Sequence, residues 1–364
     1  MTQSKERLTK LQSQLRTNGV DLAAIGPTAN MVYLLGFAPH ADERVCLLLV
    51  TPTDVCMVVP GLNREEVAAH TENIEMVSWA DVDGPQAALH QVLGGRKYSN
   101  VAFDGGTRAD FLMALQTNTA GAKMTSADAL IAPLRQRKSA DEIEILAQAA
   151  KQADVAMQAA VDACRVGATE AEVAEAVQKS FRQSGAQVVD FTIVGAGANG
   201  AFPHHHSSQT KLQKGNAVVI DIGATYRDYK SDITRMVHLG KPTEEFTKAY
   251  NAVLNANQRA MAAVKPGVKA EEIDRIGRST LEVVGLGQYF THRLGHGLGL
   301  DGHETPWIMN GNATILEEGM VFSIEPGVYF PGKFGIRIED IVVVTTTGVR
   351  NLTGFDHALV VKEN

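Results

Sequence analysis

Ala217-Val-Val-Ile-Asp-Ile-Gly-Ala-Thr225 and, shortly after it, Tyr229-Lys-Ser-Asp-Ile-Thr-Arg-Met-Val237 decide how the second half of this chain folds. Each reads as an apolar strand interrupted by one acid, Asp221 in the first and Asp232 in the second. An antiparallel hairpin turning at Tyr226-Arg227 would set the two carboxylates directly opposite each other on one face. Like charges facing across a sheet are destabilising, and an aspartate between Ile220 and Ile222 is costly to bury without a positive partner. The pattern therefore calls for a cation.

The same arrangement recurs downstream. Val321-Phe-Ser-Ile-Glu-Pro-Gly-Val-Tyr329 and Gly335-Ile-Arg-Ile-Glu-Asp-Ile-Val342, folded about Gly332, would bring Glu325 opposite Glu339. A fifth donor, His296, lies in Leu294-Gly-His-Gly-Leu-Gly299, where the flanking glycines admit close backbone approach and leave the imidazole unobstructed. Four carboxylates and one imidazole, with no thiolate, form a hard oxygen-rich set that suits manganese, cobalt, iron or zinc better than copper. Four negative charges call for more than one divalent ion. A hydroxide bridging two such ions would be a nucleophile available near neutral pH.

Upstream, helix-like and strand-like stretches alternate: Leu8, Leu11 and Leu15 mark a helix face, and Leu22–Ile25, Val45–Val50 and Val55–Val59 read as strands. An α/β domain over residues 1–134 is expected. Ser139-Ala-Asp-Glu142 then forms a capping box that opens a long helix carrying Ile143, Leu146, Ala150, Met157 and Val161 at helical spacing. Arg135 to Lys138 reads as a linker, and residues 135–364 as a second domain. Within it, Val166-Gly-Ala-Thr-Glu-Ala-Glu-Val173 echoes Pro266-Gly-Val-Lys-Ala-Glu-Glu-Ile273, and Gly185 echoes Gly285 at the same offset. Two copies suit a pseudo-symmetric α+β domain of two halves, each a helix pair followed by strands.

The bulk composition narrows the function. A chain of 364 residues, 45% apolar and 21% charged, is globular and long enough for two domains. A net charge of -7 and the lack of a long basic run argue against nucleic acid or an anionic membrane as partner. Met1 to Leu11 is polar and mixed in charge, unlike a secretory signal, and no stretch approaches the roughly 18 apolar residues of a membrane span. Cys46, Cys56 and Cys164 lack Cys-x-x-Cys spacing and read as reduced packing residues, which points to the cytoplasm. His40, His70 and His238 have no supporting motif and read as solvated surface groups; Trp79 and Trp307 read as packing residues.

Taken together, these segments resemble the metal-dependent pita-bread hydrolases, a group that includes methionine aminopeptidase, aminopeptidase P, prolidase and the metal-free creatinase. The resemblance covers nearly the whole chain: Arg7 to Phe37 and the strands after it are similar to the creatinase-type N-terminal domain, and Ser139 to Asp356 to the pita-bread domain. It implies two divalent metal ions per subunit, manganese first and cobalt, zinc or iron as alternatives. Asp221 would chelate one ion, His296 the other, and Asp232 and Glu339 both. Glu325 would be at once ligand and general acid/base. The resemblance further implies that His204, in Phe202-Pro-His204, contacts substrate or leaving group. It implies that His292 and His303 are the histidines of proline-directed members, and that Tyr329 and Arg337 orient the ligands. The implied activity is hydrolysis of the Xaa-Pro bond in dipeptides or at peptide N-termini, prolidase ahead of aminopeptidase P, by a homodimer. Alternatives are a metal-dependent hydrolase of a non-peptide amide or cyclic amidine, and a metal-free binding module or creatinase-like enzyme. Met236 and Asp301-Gly302 depart from the family's usual residues and bear on substrate choice.

Overall fold

The computed structural model describes residues 3–71 and 74–363. Met1 and Thr2, the start of the polar N-terminal stretch, lie outside the described residues. The chain forms two compact units, Met1–Arg135 and Gln136–Asn364.

In the first unit, the strands β1 (Leu22–Ile25), β2 (Leu47–Val50), β3 (Val55–Pro60), β4 (Glu75–Trp79), β5 (Asn100–Phe103) and β6 (Lys123–Ser126) form one sheet in the order β4-β3-β2-β1-β5-β6. The pairs β1–β2 and β2–β3 are antiparallel and the rest parallel. Every residue of β1 and β2 is buried, as expected of strands covered on both faces. The helices are α1 (Gln3–Asn18), α2 (Ala29–Leu35), α3 (Arg64–His70), α4 (Gln86–Leu93), α5 (Ala109–Asn118) and α6 (Asp128–Gln136), and α1 buries Leu8, Leu11 and Leu15 as its spacing predicts. Cys46 is buried and Cys56 half-buried, both as free thiols.

The second unit opens with α7 (Ala140–Ala163), whose capping box is formed in full: Ser139 accepts from the Glu142 amide and Glu142 from that of Ser139. Then follow α8 (Glu170–Gln183), β7 (Val188–Ala196), β8 (Ala217–Tyr226), β9 (Tyr229–Lys230) and β10 (Ile233–Leu239). After the second helix pair, α9 (Glu244–Ala263) and α10 (Ala270–Glu282), come β11 (Gly295–Gly297), β12 (Glu304–Ile308), β13 (Val321–Ile324), β14 (Gly327–Phe330), β15 (Phe334–Arg337), β16 (Asp340–Val344), β17 (Val349–Asn351) and β18 (Val360–Lys362). One sheet runs β18-β10-β8-β7 with β9 on β8, a second runs β12-β11-β13-β16-β17, and β14 pairs with β15 alone. One core is shared by α7, α8 and the first sheet, the other by α9, α10 and the second sheet with β14 and β15.

The internal echo is structural. Gly167 and Gly267 both turn in the left-handed region, at φ 91° and 86°, as do Gly185 and Gly285 at 86° and 77°. The Gly167 amide donates to the Leu212 carbonyl and the Gly267 amide to that of Leu316, while Leu212 and Leu316 return bonds to Ala168 and Val268. Each helix pair is thus tied to a following extended segment by the same main-chain bonds.

Three expectations need correction. In the first hairpin Asp221 faces Thr234, not Asp232, because the turn is Arg227-Asp228, one residue later than expected. Both residues have positive φ, 49° and 70°, the pattern of a two-residue hairpin loop. The shift is two residues, so Asp232 keeps the same face and stands diagonal to Asp221 rather than opposite. His238 is buried, not solvated: its Nδ1 donates to the Gly240 carbonyl at 2.8 Å and its ring packs on Phe246. Arg135 and Lys138 are not linker residues either. Arg135 is buried against the Asn30 side-chain oxygen, and Lys138 forms a buried pair with Glu304 at 2.7 Å. No helix among the described residues is long and apolar enough to cross a membrane.

Candidate metal centre

A row of facing residues crosses β7, β8 and β10 and bridges from there to Glu339, between β15 and β16. Ile193 on β7 stands opposite Asp221 on β8, Asp221 opposite Thr234 on β10, and Thr234 opposite Glu339. Asp232, two residues before Thr234, falls on the same face. Glu339 follows β15 and Glu325 follows β13. The hairpin about Gly332, itself at φ 75°, has the expected register, with Gly327 facing Arg337 on one side of the acids and Ile324 facing Asp340 on the other. Between those pairs the ladder opens at Glu325 and Glu339. Their amides donate elsewhere, Glu325 to the Leu294 carbonyl at 2.8 Å and Glu339 to that of Thr234 at 3.2 Å.

His296 sits at the centre of β11, between strands β12 and β13. Its glycine neighbours are required: a Cβ on Gly295 would overlap the Ser323 carbonyl oxygen, and one on Gly297 that of Thr305. Nδ1 of His296 lies 3.0 Å from the Gly297 carbonyl, which can only accept, so Nδ1 carries the proton and Nε2 presents a lone pair. Burial, together with His303, whose ring centroid is 4.0 Å away, pushes the His296 pKa down to about 3, so the ring is neutral. Nε2 points at the acids, 3.3 Å from Oε1 of Glu325 and 3.8 Å from Oδ2 of Asp232.

One ligating atom each from Asp232, His296 and Glu339 lies within 4.8 Å of the others, close enough for one cation. Asp221 and Glu325 complete the surround but are already held by the protein. Asp221 Oδ2 is bonded to the Arg337 guanidinium, and Glu325 Oε1 accepts from Ser323 Oγ at 3.1 Å. Among the described residues, Arg337 is the only Lys or Arg paired with these four acids. Burial, and then the neighbouring carboxylates, hold Asp232 and Glu339 well above the ordinary carboxylate range, and burial lifts Glu325 to about 7. Oδ1 of Asp221 is buried without a hydrogen-bond partner among the described residues. An orphaned carboxylate oxygen, a surplus of buried negative charge and an unprotonated imidazole nitrogen are what a site for hard divalent cations presents, so the donor set fits such ions.

Nine of the ten residues named from the sequence, Asp221, Asp232, His296, Glu325, Glu339, His204, His292, His303 and Arg337, line one cavity of about 960 Å³, and the tenth, Tyr329, is bonded to two of them. His204 and His303 stand at exposed positions and His292 deeper, its pKa pushed down to about 4 by burial and by Arg337. His292 donates from Nδ1 to the Arg293 carbonyl at 2.7 Å and accepts at Nε2 from the Tyr329 hydroxyl at 3.0 Å, which accepts from Arg337 at 2.7 Å. Thr234 ties the other side, donating to Glu339 Oε2 at 2.7 Å and accepting from Arg337 Nε at 3.1 Å. Sequence reasoning passed over Thr234, although its place two residues after Asp232 puts it on the same face. It also passed over Arg293, which lines the cavity with its guanidinium 4.4 Å above the Trp307 ring. Phe191, Ile193, Phe202, Pro203 and Met309 give the cavity an apolar wall that only the tertiary fold reveals.

Residues 144–346 match the model of metallopeptidase family M24, and residues 7–137 that of the creatinase/prolidase N-terminal domain. The chain is 35% identical to the Xaa-Pro dipeptidase of Pyrococcus furiosus over 356 residues, covering 98% of this chain and 99% of the relative. Among solved structures it is similar to dipeptidase PepE from Mycobacterium ulcerans, at 36% identity and a TM-score of 0.94 over 99% of this chain and 98% of that one. The prolidase from Pyrococcus horikoshii OT3 matches at 33% identity and a TM-score of 0.90, over 98% and 100%. With its row of buried acids beside His296, its two-unit architecture and these likenesses along nearly its full length, the chain belongs to metallopeptidase family M24 and carries that family's pita-bread fold behind a creatinase/prolidase N-terminal domain.

Proposed function

We propose that this protein hydrolyses the Xaa-Pro bond of dipeptides with the help of two divalent cations, manganese first among those the donors suit. The observation that carries the reading is the convergence of four acids and the His296 lone pair on a space where one guanidinium balances one charge. Asp221 would hold one ion, His296 the other, and Asp232 and Glu339 both, with Glu325 as the remaining donor. Cations bound there supply Lewis acidity toward the scissile carbonyl and acidify a water to hydroxide for attack.

The side chains do the rest. Glu325, with its carboxyl near 7 and 3.3 Å from His296, is poised to take a proton from the attacking water and pass it to the departing nitrogen. Proton delivery matters because an Xaa-Pro bond ends in a tertiary amide nitrogen that leaves poorly without it. Arg337 holds Asp221 and, through Tyr329, fixes the acceptor nitrogen of His292. His204 and His303 border the space above the acids, where the peptide would lie. Arg293, at the same wall, is placed to pair with the free carboxylate of a dipeptide, which favours dipeptides over longer chains. A homodimer is the assembly expected of this reading.

The test is turnover of Ala-Pro, an Ala-Pro-initiated tripeptide and a cyclic amidine by metal-loaded protein, with Asp221→Ala and Glu325→Ala as controls. Ala-Pro cleavage lost in both folded variants is expected. Undiminished turnover in either variant rules out the assigned centre, and preference for the tripeptide or the amidine replaces the dipeptidase reading.

A further inference from the structure

Glu170, the first residue of α8, is fully buried, yet it belongs to no part of the centre described above. Its carboxylate is saturated by one neighbouring segment. Oε1 accepts from the Ala196 amide at 2.8 Å and Asn199 Nδ2 at 2.9 Å. Oε2 accepts from His205 Nε2 at 2.8 Å, the Ser208 amide at 3.0 Å and Ser208 Oγ at 2.7 Å. Burial alone would raise this carboxyl; the bonds from Ala196, His205, Asn199 and Ser208 outweigh it and hold the pKa below the ordinary value, so the group is ionised.

These five donors mark the two feet and the middle of residues 196–208, the segment whose apex, Phe202-Pro203-His204, lines the cavity. Phe202 is 63% exposed, and besides Glu170 the segment is tied by Ser207, whose hydroxyl accepts from the Val194 amide and donates to the Thr192 carbonyl, each at 2.9 Å.

The pseudo-symmetry supplies a control within the molecule. In the first half the Glu170 amide donates to the Thr210 carbonyl and the Ala171 amide to that of Ser208. In the second half the Ala270 amide donates to Thr314 and the Glu271 amide to Asn312, each within 0.1 Å of its counterpart. The main-chain anchor is therefore complete without a carboxylate, and the equivalent residue, Ala270, is buried as fully as Glu170. The helix-pair architecture does not need Glu170. What the first half has and the second lacks is a histidine-bearing segment over the metal site.

We propose that Glu170 is a positioning residue whose carboxylate clamps residues 196–208 and thereby holds His204 at the mouth of the metal-binding cavity. The inference rests on the dipeptidase reading for what His204 does, but the clamp is measurable without turnover. Glu170→Gln keeps the shape and one acceptor while presenting an amide to donors it must otherwise accept from.

Two measurements on the full-length protein test this. Amide hydrogen exchange, followed peptide by peptide, should show residues 196–208 losing protection in Glu170→Gln while β8 and β11 keep theirs, with metal content unchanged. In Ala-Pro hydrolysis, Glu170→Gln should lower kcat/KM about 10- to 100-fold, mainly through kcat, as misplacement of a contacting group does. In a His204→Ala background the same change should cost less than about twofold, because it acts through a group already removed. Ser208→Ala, which deletes a single donor, should give the same pattern in weaker form and covers the case of a poorly folding Glu170→Gln. Unchanged protection of 196–208, or equal fold losses with and without His204, overturns the proposal. A wild-type protein inactive on Ala-Pro would refute the peptidase reading instead, leaving exchange to judge the clamp.

Discussion

Removing a residue essential to the proposed chemistry should make the metal-free protein more stable, not less. The residue is Glu325, and the perturbation is Glu325→Gln, which keeps the oxygen that accepts from Ser323 Oγ and deletes the charge. Burial, with Asp221 adding to it, raises the Glu325 carboxyl from an ordinary 4.5 to about 7 in the folded protein. At about 1.4 kcal/mol per pH unit, that separation corresponds to about 3 kcal/mol. Its sign follows from which state binds more protons. Below pH 4.5 both folded and unfolded chains carry the proton and the group contributes nothing. Between 4.5 and 7 the unfolded chain ionises while the folded one still holds its proton, so stability falls as pH rises. Above 7 the full cost is present. With only 14% of the side chain accessible, solvent screening relieves little of it. Chelated Glu325→Gln should therefore match wild type at pH 4.5 and exceed it at pH 8 by about 3 kcal/mol, or roughly 6 to 12 °C in Tm for a unit of this size. Thermal unfolding in a Trp79→Phe background would report from Trp307, which lies in the second unit. A chelated variant that melts at or below wild type at pH 8 would refute the reasoning that Glu325 is held at a cost.

Three further outcomes are expected. Thr234→Val removes the hydroxyl shared by Glu339 and Arg337 and should weaken metal binding, measured by calorimetry, about 10- to 100-fold with the fold intact. Tyr329→Phe cuts the link from Arg337 to His292 and should lower kcat for Ala-Pro about tenfold with little change in KM, resolved by steady-state kinetics. Chelation should abolish turnover, and added manganese should restore it while raising the Tm of wild type more than that of Glu325→Gln, since the ions relieve the repulsion the variant lacks.

The parts of the fold that were legible in the sequence are those with unambiguous local chemistry. Gly332 fixed the second hairpin because a left-handed turn residue there leaves one register. The repeated Gly167 and Gly267 exposed the pseudo-symmetry for the same reason. The first hairpin offers no glycine at its turn: Arg227 and Asp228 both adopt positive φ, and setting the acids face to face misplaced the register by two. Alternation along the strand survived that error, so the acids still share a face. His238 was misjudged because its burial comes from Phe246 on α9, which no local pattern announces. Glu170 stood in the repeated segment itself, but one acid in a helix's first turn looks like a dipole-favoured surface residue until Ser208 and His205 fold back onto it.

The opening of the ladder at Glu325 and Glu339 lets one continuous hairpin belong to two sheets. The amides freed there are taken up by Leu294 and Thr234, neighbours of His296 and Asp232. The spacing of the donors is thus set by peptide groups, which any substitution other than proline leaves in place, so the lining of the pocket can drift in sequence while the proposed cation seat keeps its dimensions. Length is the vulnerable quantity. One residue inserted between Glu325 and Gly332 would shift one arm of the hairpin against the other, whereas equal additions confined to the turn side of Tyr329 and Arg337 would leave the centre in register.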